Sequence, residues 1–392
     1  MAAKPTSTLS TLLGAAFLMA TSAIGPGFLT QTTLFTVQLK ASFGFVILLS
    51  ILLDIGVQLN IWRIVIASGQ RAPDLANALL PGVGHFLSIL IALGGLVFNI
   101  GNIAGAGLGL QVLLGIPVAV GAALSAGLAI VLFLVKDALK AMDQFSKILG
   151  LLMIALTLYV VWTAHPPLGL AVEKTFLPDA IDTTAIITLV GGTVGGYITF
   201  AGAHRLLEAG MSGPEAIPQT NRGAVTGIAV ASVMRILLFL AALGVVMQGL
   251  PIDAANPPAS MFQQAAGLLG YKLFGLVMWS AAITSVVGSA YTSVTFVRTM
   301  HPRLNDQTKV VTVGFIALSA LIFMLVGNPV TILVAAGALN GMILPVALLI
   351  LLIAVHRLPF GKTYRHPLWL TLVGVVIMVV MGWMAVRTLS SL

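Results

Sequence analysis

Few residues in this chain could do chemistry in a membrane, and most of them are neutral. Two stretches stand out, "SAIGPGFLTQT" (residues 22–32) and "LVGGTVGGYITF" (residues 189–200). Each puts a glycine cluster inside an apolar run, and the first adds Pro26, which lacks a backbone donor and clashes with the preceding helical turn. A helix should open at such places. Within a bilayer, opened backbone is tolerated only where it is buried in protein or lines a cavity. There its freed N–H and C=O groups can hold a solute, with half-helix N-termini favouring anions and C-termini favouring cations. Gly25, Pro26, Gly27 and Phe28 therefore form one half of a candidate binding site, and Gly195, Gly196 and Tyr197 the other. The competing reading of the same glycines is close helix packing. Thr30, Gln31, Asn99, Asn102, Thr199, Ser285 and Asn340 could complete the pocket. All are uncharged, which suits a monoanion, a zwitterion or a neutral polar solute, and Phe28 would supply an apolar wall. Asn99 and Asn102 are i, i+3 and share a helix face, where interhelical hydrogen bonding is the alternative use.

Charges inside apolar spans are functional candidates by default. Asp54 and Arg235 are two such residues, expected to pair or to face a common polar cavity. Asp54 is the best-placed carboxyl to carry a coupling proton, with a static ion pair as the other reading. His204 and Glu208 are i, i+4 after the second glycine cluster and read as exit or gate residues; one imidazole and one carboxylate are too sparse for a metal site. Arg63 is expected to snorkel to the interface.

These residues must be positioned by membrane helices. Of 392 residues, 59% are hydrophobic and 8% charged, with a mean hydropathy of +1.09. No soluble chain of this size hides so much apolar surface, so the class is an all-α polytopic membrane protein. There is no cysteine, which excludes disulfides and thiolate metal sites. The net charge of +8 comes from single basic residues in short loops, which points to membrane topology and away from nucleic acid.

Eleven apolar runs are long enough to cross a bilayer: about 11–38, 43–67, 84–113, 117–135, 145–163, 183–208, 223–248, 270–298, 308–326, 329–355 and 367–388. Residues 1–24 imitate a signal peptide but are read as the start of the first span. The stretch "KDALKAMDQFSK" (136–147) reads as a solvated connector. With the N-terminus inside, thirteen of the 19 Lys and Arg fall on the cytoplasmic side, against Lys40, Lys174, Lys272 and Arg387 outside, while Arg63 and Arg235 lie within spans. This bias predicts a cell-membrane protein with a cytoplasmic N-terminus and an external C-terminus. The glycine clusters are five spans apart, the mark of two five-helix repeats of opposite orientation, about 11–163 and 183–355, followed by an extra helix at 367–388.

In order and spacing, several motifs resemble the NRAMP (natural resistance-associated macrophage protein) family, proton-coupled importers of manganese and iron with the LeuT-type fold. "GPGFLTQT" stands where that family has DPGN, "LVGGTVGGYITF" in the place of its ATVMPHN segment, and "SAAITSVVGSAYTS" in that of its eighth-span stretch. "VIASGQRAPDLANAL" and "GAGLGLQVLLGIP" match the exits of its second and third spans. The resemblance implies a LeuT-type 5+5 inverted repeat with discontinuous helices one and six, plus an eleventh helix.

The family's chemistry does not carry over. Its first-span Asp and Asn ligands are here Gly25 and Phe28; its sixth-span Met, Pro and His are Gly195, Gly196 and Tyr197. Its third-span acids align with Asn99 and Asn102, its tenth-span Gln with Ile343, and the ninth-span basic residues are missing from "VTVGFIALSAL". A partly dehydrated divalent ion needs oxygen, nitrogen or sulfur ligands, usually carboxylates, to replace its water.

The expected function is a secondary transporter for a small organic acid or amino-acid-like solute. The alternative cargo is a divalent cation, either of the family's manganese and iron type or hydrated magnesium. A sensor or membrane enzyme on the same fold is the other class, but no acid pair, nucleophile–base pair or metal cluster supports an enzyme. No GxxxxGK[ST] motif is present, so coupling is expected to H+ or Na+, with no resident cofactor.

Overall fold

The computed structural model describes residues 25–135, 138–298, 304, 306–360 and 364–390. Among the described residues there is no strand. The elements are α1 (Pro26–Leu39), α2 (Phe43–Ser68), α3 (Ala72–Leu79), α4 (Val83–Leu114), α5 (Val118–Leu134), α6 (Ala138–Ala164) and α7 (Leu168–Phe176). They continue with α8 (Thr183–Val194), α9 (Ile198–Glu208), α10 (Ile217–Met247), α11 (Pro257–Arg298), α12 (Thr308–Val326), α13 (Pro329–Arg357) and α14 (Leu368–Ser390).

Local chemistry sets the boundaries. Pro26 and Pro329 sit in first turns, where the missing N–H would be unpaired anyway. The Asp182 carboxylate caps α8 by accepting from the N–H groups of Thr184 and Ala185 at 2.8 and 3.0 Å. α2 and α4 end on left-handed Gly69 (φ 65°) and Gly115 (φ 71°).

By length and hydropathy, eight described helical stretches can cross a membrane, or nine when the pair Ile148–Ala164 and Leu168–Phe176, bent by 106°, counts as one. The difference from eleven has identifiable causes. α1 and α2 run together as one 43-residue stretch, interrupted only at Lys40 (φ 49°) and a short 3-10 turn. α5 has 17 residues, too few to count alone. Residues 1–24, including the signal-like segment and the start of the first span, lie outside the described residues. From residue 138 the expected connector is helical and continuous with α6.

Burial shows which elements hold the centre. The α8–α9 stretch has 94% of its apolar window buried, against 28% for α12 and 33% for α14. The interrupted sixth span is therefore the core, and α12 and α14 form the periphery. α8 packs on α2 and α13, and α10 packs on α1 and α2, so the second and seventh spans are neighbours.

Candidate functional site

The two glycine-rich stretches behave differently. Helix α1 begins at the GPG: Gly25 is extended (φ −100°, ψ −174°), Pro26 opens the helix, and the Gly25 carbonyl accepts from Leu29 N–H at 3.2 Å. The upstream half of this span lies outside the described residues. Pro26 packs directly on Gly105 of α4, where a Cβ would collide with its ring. In the sixth span α8 stops at Val194, Gly195 is extended (φ −52°, ψ 176°), and α9 restarts at Ile198.

α13 fills the sixth-span interruption. The Gly196 N–H donates to the Asn340 carbonyl at 2.9 Å and the Tyr197 N–H to Asn340 Oδ1 at 3.0 Å. Asn340 Nδ2 donates in turn to the carbonyls of Gly94 (3.0 Å) and Ala336 (2.9 Å). Asn340, expected as a solute ligand, instead has its whole amide occupied by backbone. Gly195 and Gly196, expected in the solute cradle, have no room beside them: a Cβ on either would strike Asn340 or Ile343. Two of the N–H groups freed by this break are thus already paired with α13.

The start of α1 borders open space. A cavity of about 250 Å³, its mouth included, is lined by Gly27, Phe28 and Gln31 of α1, Phe98, Gly101 and Asn102 of α4, Gly192 of α8, and Leu333 and Ala336 of α13. Gln31 Nε2 donates to the Leu333 carbonyl at 2.8 Å, leaving the buried Oε1 without a protein partner. Asn102 Nδ2 is likewise buried and unpartnered, as is the Thr30 hydroxyl. Such groups are costly to bury unless something completes them.

The i, i+3 asparagines divide their roles. Asn99 donates to Ser319 at 3.1 Å and accepts from Ser289 at 2.8 Å, tying α4 to α12 and α11, while Asn102 faces the cavity. The Tyr197 hydroxyl donates to the Ser289 carbonyl at 3.3 Å, and its ring lies 5.8 Å from that of Phe98. The Thr199 carbonyl accepts from the Trp62 indole at 2.9 Å, and its buried hydroxyl is unpartnered. Gly25, Pro26, Tyr197, Thr199 and half-buried Ser285 do not line the cavity. Phe98, Gly101, Gly192, Leu333 and Ala336 do, without having been singled out in the sequence. Apolar and glycine residues carry no chemical signal of their own; only their helix register relative to Asn102 and Gln31 could have indicated them.

Asp54 and Arg235 approach within electrostatic reach of each other, each almost fully buried, yet they are not among the direct ion pairs of the described residues. Arg235 stacks on Phe28, its guanidinium carbon 4.3 Å from the ring centre, and donates from Nη1 to Thr193 Oγ1 at 2.8 Å. His204 Nε2 meets Glu208 Oε1 at 3.0 Å, and its ring lies 5.4 Å from that of Phe296, tilted by 50°. Among the described residues no three His, Asp or Glu side chains converge as a metal site would require. Arg63, expected to snorkel, lies within electrostatic reach of Tyr364 and His366 in the segment before α14.

An interrupted sixth span and the start of α1 lie beside a small cavity, in a chain whose described residues are helical and hold no strand. A family model for natural resistance-associated macrophage protein-like proteins matches residues 16–391, and the chain belongs to that family. It is 58% identical over 390 residues to the Bacillus subtilis (strain 168) protein "Uncharacterized membrane protein YcsG", covering 100% of this chain and 96% of that one. Among solved structures, a single-site mutant of the Eremococcus coleocola manganese transporter superposes with a TM-score of 0.72 at 14% identity, over 100% of this chain and 89% of that one. Mhp1, a nucleobase-cation-symport-1 family transporter with bromovinylhydantoin bound, does so with a TM-score of 0.63 at 15% identity, over 97% and 92%. The protein is a multi-pass membrane transporter of LeuT-type fold, and these findings point away from an enzyme.

Proposed function

We propose that this chain is a secondary transporter, working by alternating access, whose cargo is a small organic acid or amino-acid-like solute. The cavity wall carries the proposal: two carboxamides, two phenyl rings and three glycines, with no carboxylate, thioether or imidazole among its lining residues. A dehydrated manganese or iron ion would have to exchange its water for Gln31, Asn102 and backbone carbonyls, a poor trade for a dication. A buried ion without compensation costs on the order of several kcal/mol. Arg235 behind Phe28 adds a positive charge to the same neighbourhood. Of the two structural relatives, one is a manganese transporter and the other holds an organic ring; the lining chemistry here is nearer to what the second requires. In this conformation the enclosed space is about that of a single water molecule, so a solute enters only when the walls move apart.

In this reading the N-terminus is cytoplasmic and the C-terminus external, coupling is to H+ or Na+, and Asp54 is the candidate proton carrier. Uptake into proteoliposomes tests the cargo. Accumulation of small carboxylates or amino acids, driven by a pH or sodium gradient, is the expected result. Micromolar binding and uptake of manganese, or of magnesium, with no organic uptake would overturn it. Asp54→Asn should abolish pH-driven uptake, and unchanged uptake would remove the proton role from Asp54.

A further inference from the structure

Arg235 touches helices of both the first and the sixth span. It leaves α10 with 3% of its surface exposed, stacks on Phe28 of α1, and anchors through Nη1 on Thr193 in the last turn of α8. The Thr193 hydroxyl gives its own proton to the Leu189 carbonyl at 2.8 Å, so it meets Arg235 as an acceptor and fixes the plane of the guanidinium. The two donors that remain, Nε and Nη2, have no hydrogen-bond partner in the protein. They lie on one edge of the guanidinium, the edge whose parallel N–H groups match the two oxygens of a carboxylate. Asp54, within electrostatic reach, balances the charge without occupying that edge, and its own Oδ1 is unpartnered. A buried guanidinium held through Nη1 and left bare along its Nε and Nη2 edge is an incomplete set of charge-assisted bonds.

We infer that the free edge of Arg235 is the seat for the carboxylate of the transported solute, reached past Phe28. This inference rests on the reading of the cavity as a cargo site. Phe28 lines the cavity with its ring and carries the guanidinium on that same ring, so it separates the solute from the charge in this conformation. A turn of its side chain, or of the start of α1, joins the two spaces. The solute's polar remainder then meets Gln31 Oε1 and Asn102 Nδ2, the unpartnered amide atoms of the cavity. The cargo this selects is a carboxylate on a small polar or amphipathic body, in preference to the same body without its negative charge.

The test compares acids with their primary amides. Purified protein is titrated with L-lactate, L-alanine and benzoate, and with lactamide, L-alaninamide and benzamide, by thermal shift and by inhibition of uptake in proteoliposomes. Wild type should prefer the acid of at least one pair by about tenfold or more, as loss of a bidentate charged contact implies. Arg235→Lys keeps the charge but lacks the fork, and should reduce that preference to within about twofold, weakening the acids more than the amides. Thr193→Val releases the anchor and should weaken acid binding in the same direction by a smaller factor; it serves if the lysine variant does not fold. An unchanged acid-to-amide ratio in these variants overturns the inference. Wild type that takes the organic panel without preferring acids overturns it too, while the organic-cargo reading stands. Wild type that responds to manganese and to none of the panel overturns both.

Discussion

The interruptions at residues 25–27 and 195–197 are built from the same residue type and serve different ends. Beside Gly27 a Cβ would meet nothing nearer than Gln31 Nε2 at 3.5 Å, and the cavity opens there. Beside Gly191 a Cβ would run into the backbone carbonyl of Gly337, and at Gly195 into that of Gly191. One cluster makes space, and the other lets α13 close on α8. A glycine-rich break in a membrane helix is a site or a seam according to what the neighbouring helix brings to it. α4 brings Gly101 and an unpartnered amide to the first, whereas α13 brings Asn340 and pairs the backbone of the second.

The sharpest way to break this comparison is to add one methyl group to each cluster. Gly191→Ala forces backbone against backbone, where no rotamer can relieve the overlap, so it should reduce the folded yield severely and cost more than about 3 kcal/mol. Gly27→Ala should fold normally, because its neighbours are at ordinary contact distance, while lowering uptake by filling the cavity. Thermal unfolding in detergent, read beside uptake, checks both. Equal destabilisation by the two variants would remove the distinction between seam and site.

The next effect concerns the amides. Asn340→Ala strands the Tyr197 N–H, while the Gly94 and Ala336 carbonyls keep their helical bonds, and it should cost roughly 1–3 kcal/mol, as expected for one buried group left unpaired. Asn102→Ala removes an amide whose Nδ2 has no partner, and should leave unfolding within about 0.5 kcal/mol of wild type, while weakening solute binding. A large stability loss in Asn102→Ala, measured by the same unfolding assay, would move that residue from site to scaffold. Gly192→Ala sits between the two classes: its Cβ would meet only the movable end of Gln31, at 2.7 Å. It should fold and lower affinity several-fold, because the Gln31 amide must turn.

The contrast between the clusters shows what a sequence can and cannot carry. The helical class, the interrupted sixth span and the i, i+4 meeting of His204 with Glu208 are legible, because apolar run length and helical period depend only on local order. Asn340 is illegible because an asparagine offers the same groups to a backbone as to a solute, and the sequence does not say which lies opposite. Gly195 and Gly196 mislead for the same reason, since a missing Cβ describes a gap without its occupant. The cavity wall of Phe98, Gly101, Leu333 and Ala336 is set by the docking of α4 and α13, a tertiary fact with no chemical mark in the chain. The span count differs at α5 and at the junction of α1 with α2, where hydropathy gives a run but not its bends.

A third junction, with no break and no cavity, gives the smallest effect and a control for the other two. His366, in the segment before α14, lies outside the spans and joins that segment to α2: Nε2 donates to Asn60 Oδ1 at 3.0 Å, and Nδ1 accepts from the Tyr364 hydroxyl at 2.8 Å. The tautomer follows from Asn60, whose Nδ2 is spent on the carbonyls of Gly56 and Leu370. Both ring nitrogens are satisfied in the neutral form. Burial first, then the charges of Arg63 and His356, push the imidazole down to about 4. The unfolded chain would take up this proton near the ordinary histidine value of about 6.5. Between those two values the unfolded state binds more protons than the folded one, so stability rises with pH across the window and is lost as pH falls through it. Thermal midpoints at pH 7 and pH 5 should therefore differ by about 2–4 °C from this group, the shift that about 1 kcal/mol produces in a chain of a few hundred residues. His366→Gln should flatten that slope and leave solute affinity unchanged at pH 7. A slope as steep in the variant as in the wild type would assign the acid sensitivity to other groups, and an altered affinity would mean that this junction communicates with the cavity between α1 and α4.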